Sequence, residues 1–328
     1  IRDRPYARAV AEHLGTDHHE YVVTEDSLRL LPEIVWYFDE PVADPAAIPT
    51  LILSDFTRKY VTVVLTGEGA DEVFAGYFQY KVYQYGNIIA HLPVPVRRIL
   101  ASAGGMLPPW LLNRMFQYAY LMGKSGIRRG QHAIREAHDK FERYMSIVGI
   151  YTHEEIQQIG IDVHEDLLRK MMSPESSSMP PLTEVQMMEI RYPLVDNLLM
   201  KVDKMTMAAS LEARVPYLDH SVVEFALSLP PGYRLHNWTD KYILRKIGKK
   251  YLPDNIIKRK KHRFFVPIHL WIRDFELSPD MKKLGFKEKC VNRIIENIER
   301  KRDSLYYARQ AFNMVVLERW VDVYHPEI

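Results

Sequence analysis

The sequence predicts an α/β fold: a doubly wound parallel sheet at the amino end, followed by a large helical carboxyl-terminal portion. Three observations lead there. Strand signals alternate with helical ones from Pro5 to Gly76, the run Val61-Thr62-Val63-Val64-Leu65-Thr66 is β-branched at five of six positions, and a glycine turn rich in carboxylates follows it at once. A short, nearly continuous apolar run suits a strand buried on both faces, as in a parallel sheet covered by helices. Alternating elements are the usual source of such a sheet.

Along the chain, Pro5 to Leu14 reads as a helix stopped by Gly15. His19 to Val23 reads as extended. Thr24, Asp26 and Ser27 are cap candidates for the next helix, Leu28 to Phe38, whose apolar residues Leu30, Leu31, Ile34, Val35 and Phe38 keep the helical period. A turn, Asp39 to Pro45, precedes a helix over Ala46 to Lys59, which leads into the strand at 61–66. Past Gly76 the strand signals fade, and Lys81 to Lys170 reads as helices broken at the prolines 93, 95, 108 and 109. Thr152 with Glu155, and Thr183 with Gln186, fit capping boxes. A loop is expected over Ser173 to Pro181. Helical patterns resume at Asn197 to Leu211, Asp219 to Leu229, Thr239 to Tyr251, Pro267 to Phe275 and Ser304 to Tyr324. The chain opens on Ile1 in what reads as mid-fold. Three segments follow: a truncated α/β nucleotide-binding core over 1–78, a helical insertion over 79–188, and a helical remainder over 189–328 packing on the core.

Composition narrows the function classes. Lys and Arg total 44 against 42 for Asp and Glu, a formal charge of +2, so no global field draws the chain to nucleic acid or membrane. The run Lys258 to Arg263 sits in this neutral context and reads as a solvated basic loop or a lid near phosphates. The single cysteine, Cys290, excludes an internal disulfide framework and Cys-rich zinc sites; it reads as a packing residue and suits a reducing, cytoplasmic location. No apolar run approaches the roughly 20 residues that span a bilayer.

The chemistry is concentrated in Leu65-Thr66-Gly67-Glu68-Gly69-Ala70-Asp71-Glu72-Val73-Phe74-Ala75-Gly76-Tyr77. Following a strand and opening a helix, it lies at the carboxyl edge of the sheet, where ligands bind. Gly67 and Gly69 allow close backbone approach, free amides at a helix start favour anions, and the carboxylates Glu68, Asp71 and Glu72 can hold a metal. A magnesium nucleotide satisfies all three features; a glycine turn with acidic capping residues fits the pattern as well. Further on, Lys241 stands near the start of a helix capped by Thr239, with Arg245 one turn along the same face, so both can point at a polyphosphate. Asp203, Lys204, Glu212 and Arg214 form either a substrate-facing network or a structural ion-pair cluster. Asp44, before Pro45, reads as a substrate-positioning carboxylate or as turn chemistry.

The acidic glycine turn resembles the Gly-Glu-Gly-(Ser/Ala)-Asp-Glu motif of the asparagine synthetase (glutamine-hydrolysing) family. Other segments resemble that family's in the same order: Asp39-Glu40-Pro41 through Pro45, Val202-Asp203-Lys204-Met205 through Asp219, Lys241-Tyr242-Ile243-Leu244-Arg245, and Arg259-Lys260-Lys261-His262 with Phe264 and Pro267. The resemblance implies the carboxyl-terminal ATP-pyrophosphatase domain, an adenine-nucleotide α-hydrolase fold incomplete at its amino end. The family's Ser-Gly-Gly-x-Asp-Ser pyrophosphate loop and glutaminase domain do not occur in these residues, and this fragment alone is expected to be inactive. By the same resemblance ATP and Mg2+ are the cofactors. Thr66, Gly67, Gly69 and Arg245 belong to the ATP site, Glu68 and Lys241 are catalytic, and Asp71 is the magnesium ligand. Aspartate is activated as β-aspartyl-AMP with release of pyrophosphate, and ammonia from a glutaminase domain completes asparagine. A homodimer, with no nucleic-acid or membrane partner, completes the expectation. The alternatives are a lactam or other amide synthetase of the family, against whose β-lactam branch Glu68 argues, and a non-catalytic subunit that keeps the fold.

Overall fold

The computed structural model describes residues 4–106, 119–160, 164–172, 179–259, 266–272, 284–300 and 304–325. It is a mostly helical α/β chain with a small parallel sheet. Two compact units interleave along the sequence. One comprises Ile1–Leu30, Ala46–Tyr80 and Glu189–Phe265, the other Leu31–Pro45, Lys81–Met188 and Val266–Ile328.

In the first unit, strand β1 (Val63–Leu65) pairs in parallel with β2 (Glu212–Arg214), Val63 opposite Glu212 and Leu65 opposite Arg214. Glu212 N–H donates to Thr62 O and Thr66 N–H to Arg214 O, both at 2.9 Å, which extends the ladder at each end. Two sequence expectations are corrected here. Residues 197–211 do not form one helix: a π-helical turn, Leu194–Leu199, runs into the helix Met200–Ala208. The chain then leaves through Ser210, whose φ of 56° is left-handed, into β2. The 61–66 strand is also not buried on both faces, since Val61 and Val63 are exposed and Leu65 is 70% exposed. Among the described residues β2 is the one ladder partner of β1, so apolar composition has outrun coverage; the sheet described here has two strands.

Residues 19–23 carry no regular secondary structure and join no ladder. Side chains hold them instead. Glu20 accepts from Arg4 and Arg8 at 2.8 to 2.9 Å, while the tilted rings of His19 and Tyr60, and of Tyr21 and Phe56, have centroids 4.1 and 5.5 Å apart. The helix Ala47–Arg58 buries Ile48 and Leu51 and packs against the helix Met200–Ala208, which buries Val202 and Met205. Beneath the acidic turn, Val73, Phe74 and Ala226 form a core on which Leu218, Ile243 and Leu244 pack. Full burial of side chains such as Val73 and Phe74 stabilises by about 1.5–3 kcal/mol each. That core fixes the turn's underside.

The helix expected over 239–251 is shorter, Tyr242–Gly248. Thr239 does not cap it, because its backbone N–H and C=O are exchanged with those of His236 in a tight bridge. Lys241 holds the N-cap position instead, with φ 48° and ψ 39°.

In the second unit the described elements are helical. Leu31–Phe38 buries Leu31, Ile34, Val35 and Phe38 and packs on Ser304–Tyr324. Trp320 Nε1 donates to Asp39 O at 2.8 Å and Tyr324 OH to Trp36 O at 2.6 Å, pinning the start of the 39–45 turn. The capping box at 152 is present: Thr152 Oγ1 accepts from Glu155 N–H and Glu155 Oε2 from Thr152 N–H. The one at 183 is not, since the helix Pro181–Arg191 starts two residues earlier. Proline's fixed φ suits that first helical position. Cys290 is buried, its Sγ 3.0 Å from Gln158 O. Most of the loop at 173–181 and basic residues 260–263 lie outside the described residues, as does 273–275 beyond the helix Ile268–Trp271. No helix among the described residues is long and apolar enough to cross a membrane.

Candidate functional site

β1 delivers the chain to Thr66 at the level of Arg214, and the turn Gly67-Glu68-Gly69 follows. The two glycines do different things. Gly69 has φ 84°, and a Cβ there would overlap the side chain of Leu218, so glycine is demanded by the fold itself. Gly67 is exposed, and a Cβ would meet nothing within 4 Å. Its bare backbone faces open space.

The helix after Gly69 is a single turn, Ala70–Val73. Val73 N–H donates to Gly69 O at 2.9 Å and Phe74 N–H to Ala70 O at 3.3 Å. Ala75, with φ 56°, reverses the chain, and Gly76 N–H returns to Asp71 O at 2.7 Å. On this turn the three carboxylates part company. Glu68 is half-buried at the mouth of the turn. Asp71 Oδ1 lies 3.0 Å from Lys241 Nζ, the two side chains 23% and 25% exposed. Glu72 is 1% exposed and turns inward, where Tyr77 OH donates to its Oε1 at 2.6 Å. Burial pushes the Glu72 carboxyl above its ordinary value of 4.5, against the opposing pull of the Tyr77 hydrogen bond. Burial, with Glu72 beside it, pushes the Tyr77 phenol up as well.

Gly76 seats the Asp71–Lys241 pair: a Cβ there would collide with the Asp71 carboxylate and with Cε of Lys241. Lys241 reaches Asp71 from a left-handed backbone, a conformation that disfavours any residue with a Cβ. One turn on, the Arg245 guanidinium makes four hydrogen bonds within the protein. They run to Asp240 O and Oδ2, Ile257 O and Arg259 O, at 2.6 to 3.0 Å. It clamps the segment before Lys241 to residues 257–259.

The structure therefore brings Thr66, Gly67, Glu68, Gly69, Asp71, Lys241 and Arg245 into one unit, with Asp71 and Lys241 in direct contact. Glu212 and Arg214 pair with each other at 2.8 Å on the exposed face of β2. Asp203 is exposed and Lys204 half-buried on Met200–Ala208, and Asp44 belongs to the second unit. Sequence reasoning missed Gly76 and Tyr77 as parts of the site. The available signal was a third glycine and a phenol at the end of the segment already quoted.

Among the described residues no group of three or more His, Cys, Asp or Glu side chains is arranged to hold a metal ion. A protein-only cage is not what the turn offers. A single partly exposed carboxylate, Asp71, suits a hard cation only where that cation draws its other ligands from phosphate and water.

Residues 1–321 match the family model described as asparagine synthase. The chain is similar to a putative glutamine-hydrolysing asparagine synthetase of Mycobacterium bovis, 37% identical over 83% of this chain and 40% of the relative. It is similar to glutamine-hydrolysing asparagine synthetase 1 of Bacillus subtilis, 33% identical over 82% of this chain and 41% of the relative. It also resembles amidase chyE of Penicillium rubens, 24% identical over 91% of this chain and 48% of the relative. The chain spans about 40% of the length of the first two relatives.

Proposed function

Because the chain belongs to the asparagine synthase family, we propose that it is the ATP-using part of an amide ligase that converts aspartate to asparagine. The observation that carries this reading is the 3.0 Å contact between Asp71 and Lys241 at the glycine turn. In the proposed reaction a β-carboxylate oxygen of aspartate attacks the α-phosphorus of ATP. The bond to the bridging oxygen breaks, and pyrophosphate leaves. Ammonia then attacks the acyl carbon of β-aspartyl-AMP and AMP departs. Negative charge accumulates on phosphate oxygens in the first step, and preorganised cations lower that barrier most. Lys241, held by its own backbone and by Gly76, supplies that charge to pyrophosphate. Thr66 and the uncovered backbone of Gly67 contact ATP, with Gly69 shaping the turn. Glu68 serves the adenylation step. Asp71 would hold magnesium, which when bound neutralises phosphate charge. Arg245 serves the ATP site by fixing the segment that carries Lys241.

In the same proposal β1 and β2 belong to a doubly wound sheet of the adenine-nucleotide α-hydrolase type that the full-length protein completes, and a glutaminase domain supplies ammonia in the cytoplasm. A second reading, activation of a different carboxylate, is favoured by the likeness to an amidase over most of the chain. Pyrophosphate release by the full-length protein, assayed with aspartate and with other carboxylates, separates the two. Asp71→Ala and Lys241→Ala are each expected to lower release by about 100-fold. Unchanged release in both variants would overturn the site assignment, and release with another carboxylate but not aspartate would select the second reading.

A further inference from the structure

Asp71 rides on a helix of one turn, too short to fix its own orientation: isolated turns are unstable, and tertiary contacts set their rotation. What sets it here is legible. Asp71 and Glu72 are adjacent, so they point about 100° apart around the axis. If the Glu72 side chain is fixed inward, Asp71 is fixed towards Lys241. Glu72 is 1% exposed, and the phenol five residues on donates to it at 2.6 Å. The chain between them is closed a second time by Gly76 N–H on Asp71 O at 2.7 Å. A Cβ at Gly76 would collide with the very carboxylate being aimed.

We infer that Tyr77 is a positioning residue for the Asp71–Lys241 pair, acting through its hydrogen bond to the buried Glu72. The inference rests on the reading of Asp71 as a ligand for metal-bound nucleotide. The Tyr77 hydroxyl ties the end of the reversing turn to the inward face of the helix, and the outward face inherits its aim. A buried carboxylate deprived of this donor seeks water, and the shortest route out is rotation of the same single turn.

The test uses full-length protein with Mn2+ and ATP as probes. Binding of ATP is measured by calorimetry with and without the metal, and Mn2+ relaxation of water protons gives an independent readout. Tyr77→Phe is expected to weaken binding of the metal–ATP complex by about 10-fold, the scale of outer-shell substitutions around metal ligands. Metal-free ATP binding, in which Asp71 holds no metal, should fall by much less. Glu72→Met cuts the same bond from the other end and leaves no buried charge, so it covers the case in which Tyr77→Phe does not fold; the same selective loss is expected. Asp71→Ala serves as the reference. If it loses metal–ATP binding while Tyr77→Phe and Glu72→Met bind like the parent, the positioning role fails and the site reading stands. Equal loss of both forms of ATP in the two variants also overturns the role, since that marks general damage. If Asp71→Ala itself binds metal–ATP normally, the underlying site reading fails and takes this inference with it.

Discussion

Glu68, Asp71 and Glu72 are indistinguishable as carboxylates in a string of letters, yet the fold gives them three environments: half-buried, paired with Lys241, and buried on Tyr77. The sequence showed that acids cluster after a strand, which was enough to single out the turn as the candidate. It did not show which acid turns inward, because that depends on the rotation of one helical turn over a core built from residues near 73, 218, 226 and 243. Glu72 makes a prediction of its own. A carboxyl whose pKa is raised on folding binds its proton more tightly in the native state, so stability declines as pH climbs from the ordinary value of 4.5 towards the raised one and levels off above it. Glu72→Gln, which keeps an acceptor for the phenol, should flatten that decline in melting temperature measured across the acidic range. Superimposable pH profiles for parent and variant would contradict the buried-carboxylate account.

At the level of elements, local signals read well where one residue's chemistry decides, and poorly where neighbours distant in sequence do. The capping box at Thr152 is decided locally. Its partner Glu155 does more than cap: Oε2 also accepts from Tyr306 OH at 2.6 Å and Gln310 Nε2 at 3.1 Å. Thr152→Ala should therefore destabilise the second unit by about 1 kcal/mol, while Glu155→Ala, which removes an acceptor shared by two further donors, should destabilise it more. Denaturant titration ranks the two, and the reverse order would refute the hub role. At Thr183 the same signature misleads because Pro181 starts the helix first. Around 239–242 the helical period was visible, but the backbone exchange between His236 and Thr239 removed the expected cap and left Lys241 in a left-handed N-cap position. The strand at 61–66 was found from β-branching and its burial was not, since coverage of a strand depends on neighbours that composition does not record.

Across the whole molecule, neither compact unit is continuous in sequence, and periodicity carries no information about which distant segments share a core. β2 is three residues long with both ends polar, so no strand pattern announced it. It is nonetheless the partner that brings Arg214 beside Thr66. The ladder joins residues about 150 apart in the chain. At a translation rate of about 5–20 residues per second, β1 waits roughly 8–30 s for its partner to be made. Ribosome-stalled chains ending before residue 212 should be cut by protease around residues 61–66, and chains ending well beyond 248 should resist. Equal protection in both would mean the turn closes without β2. During that interval the newborn polypeptide displays Val63 and Leu65 with the ladder edge that β2 later takes still unpaired. This surface is one to which a holdase chaperone or a second nascent copy can bind, so assembly of the acidic turn competes with capture from the moment it leaves the ribosome.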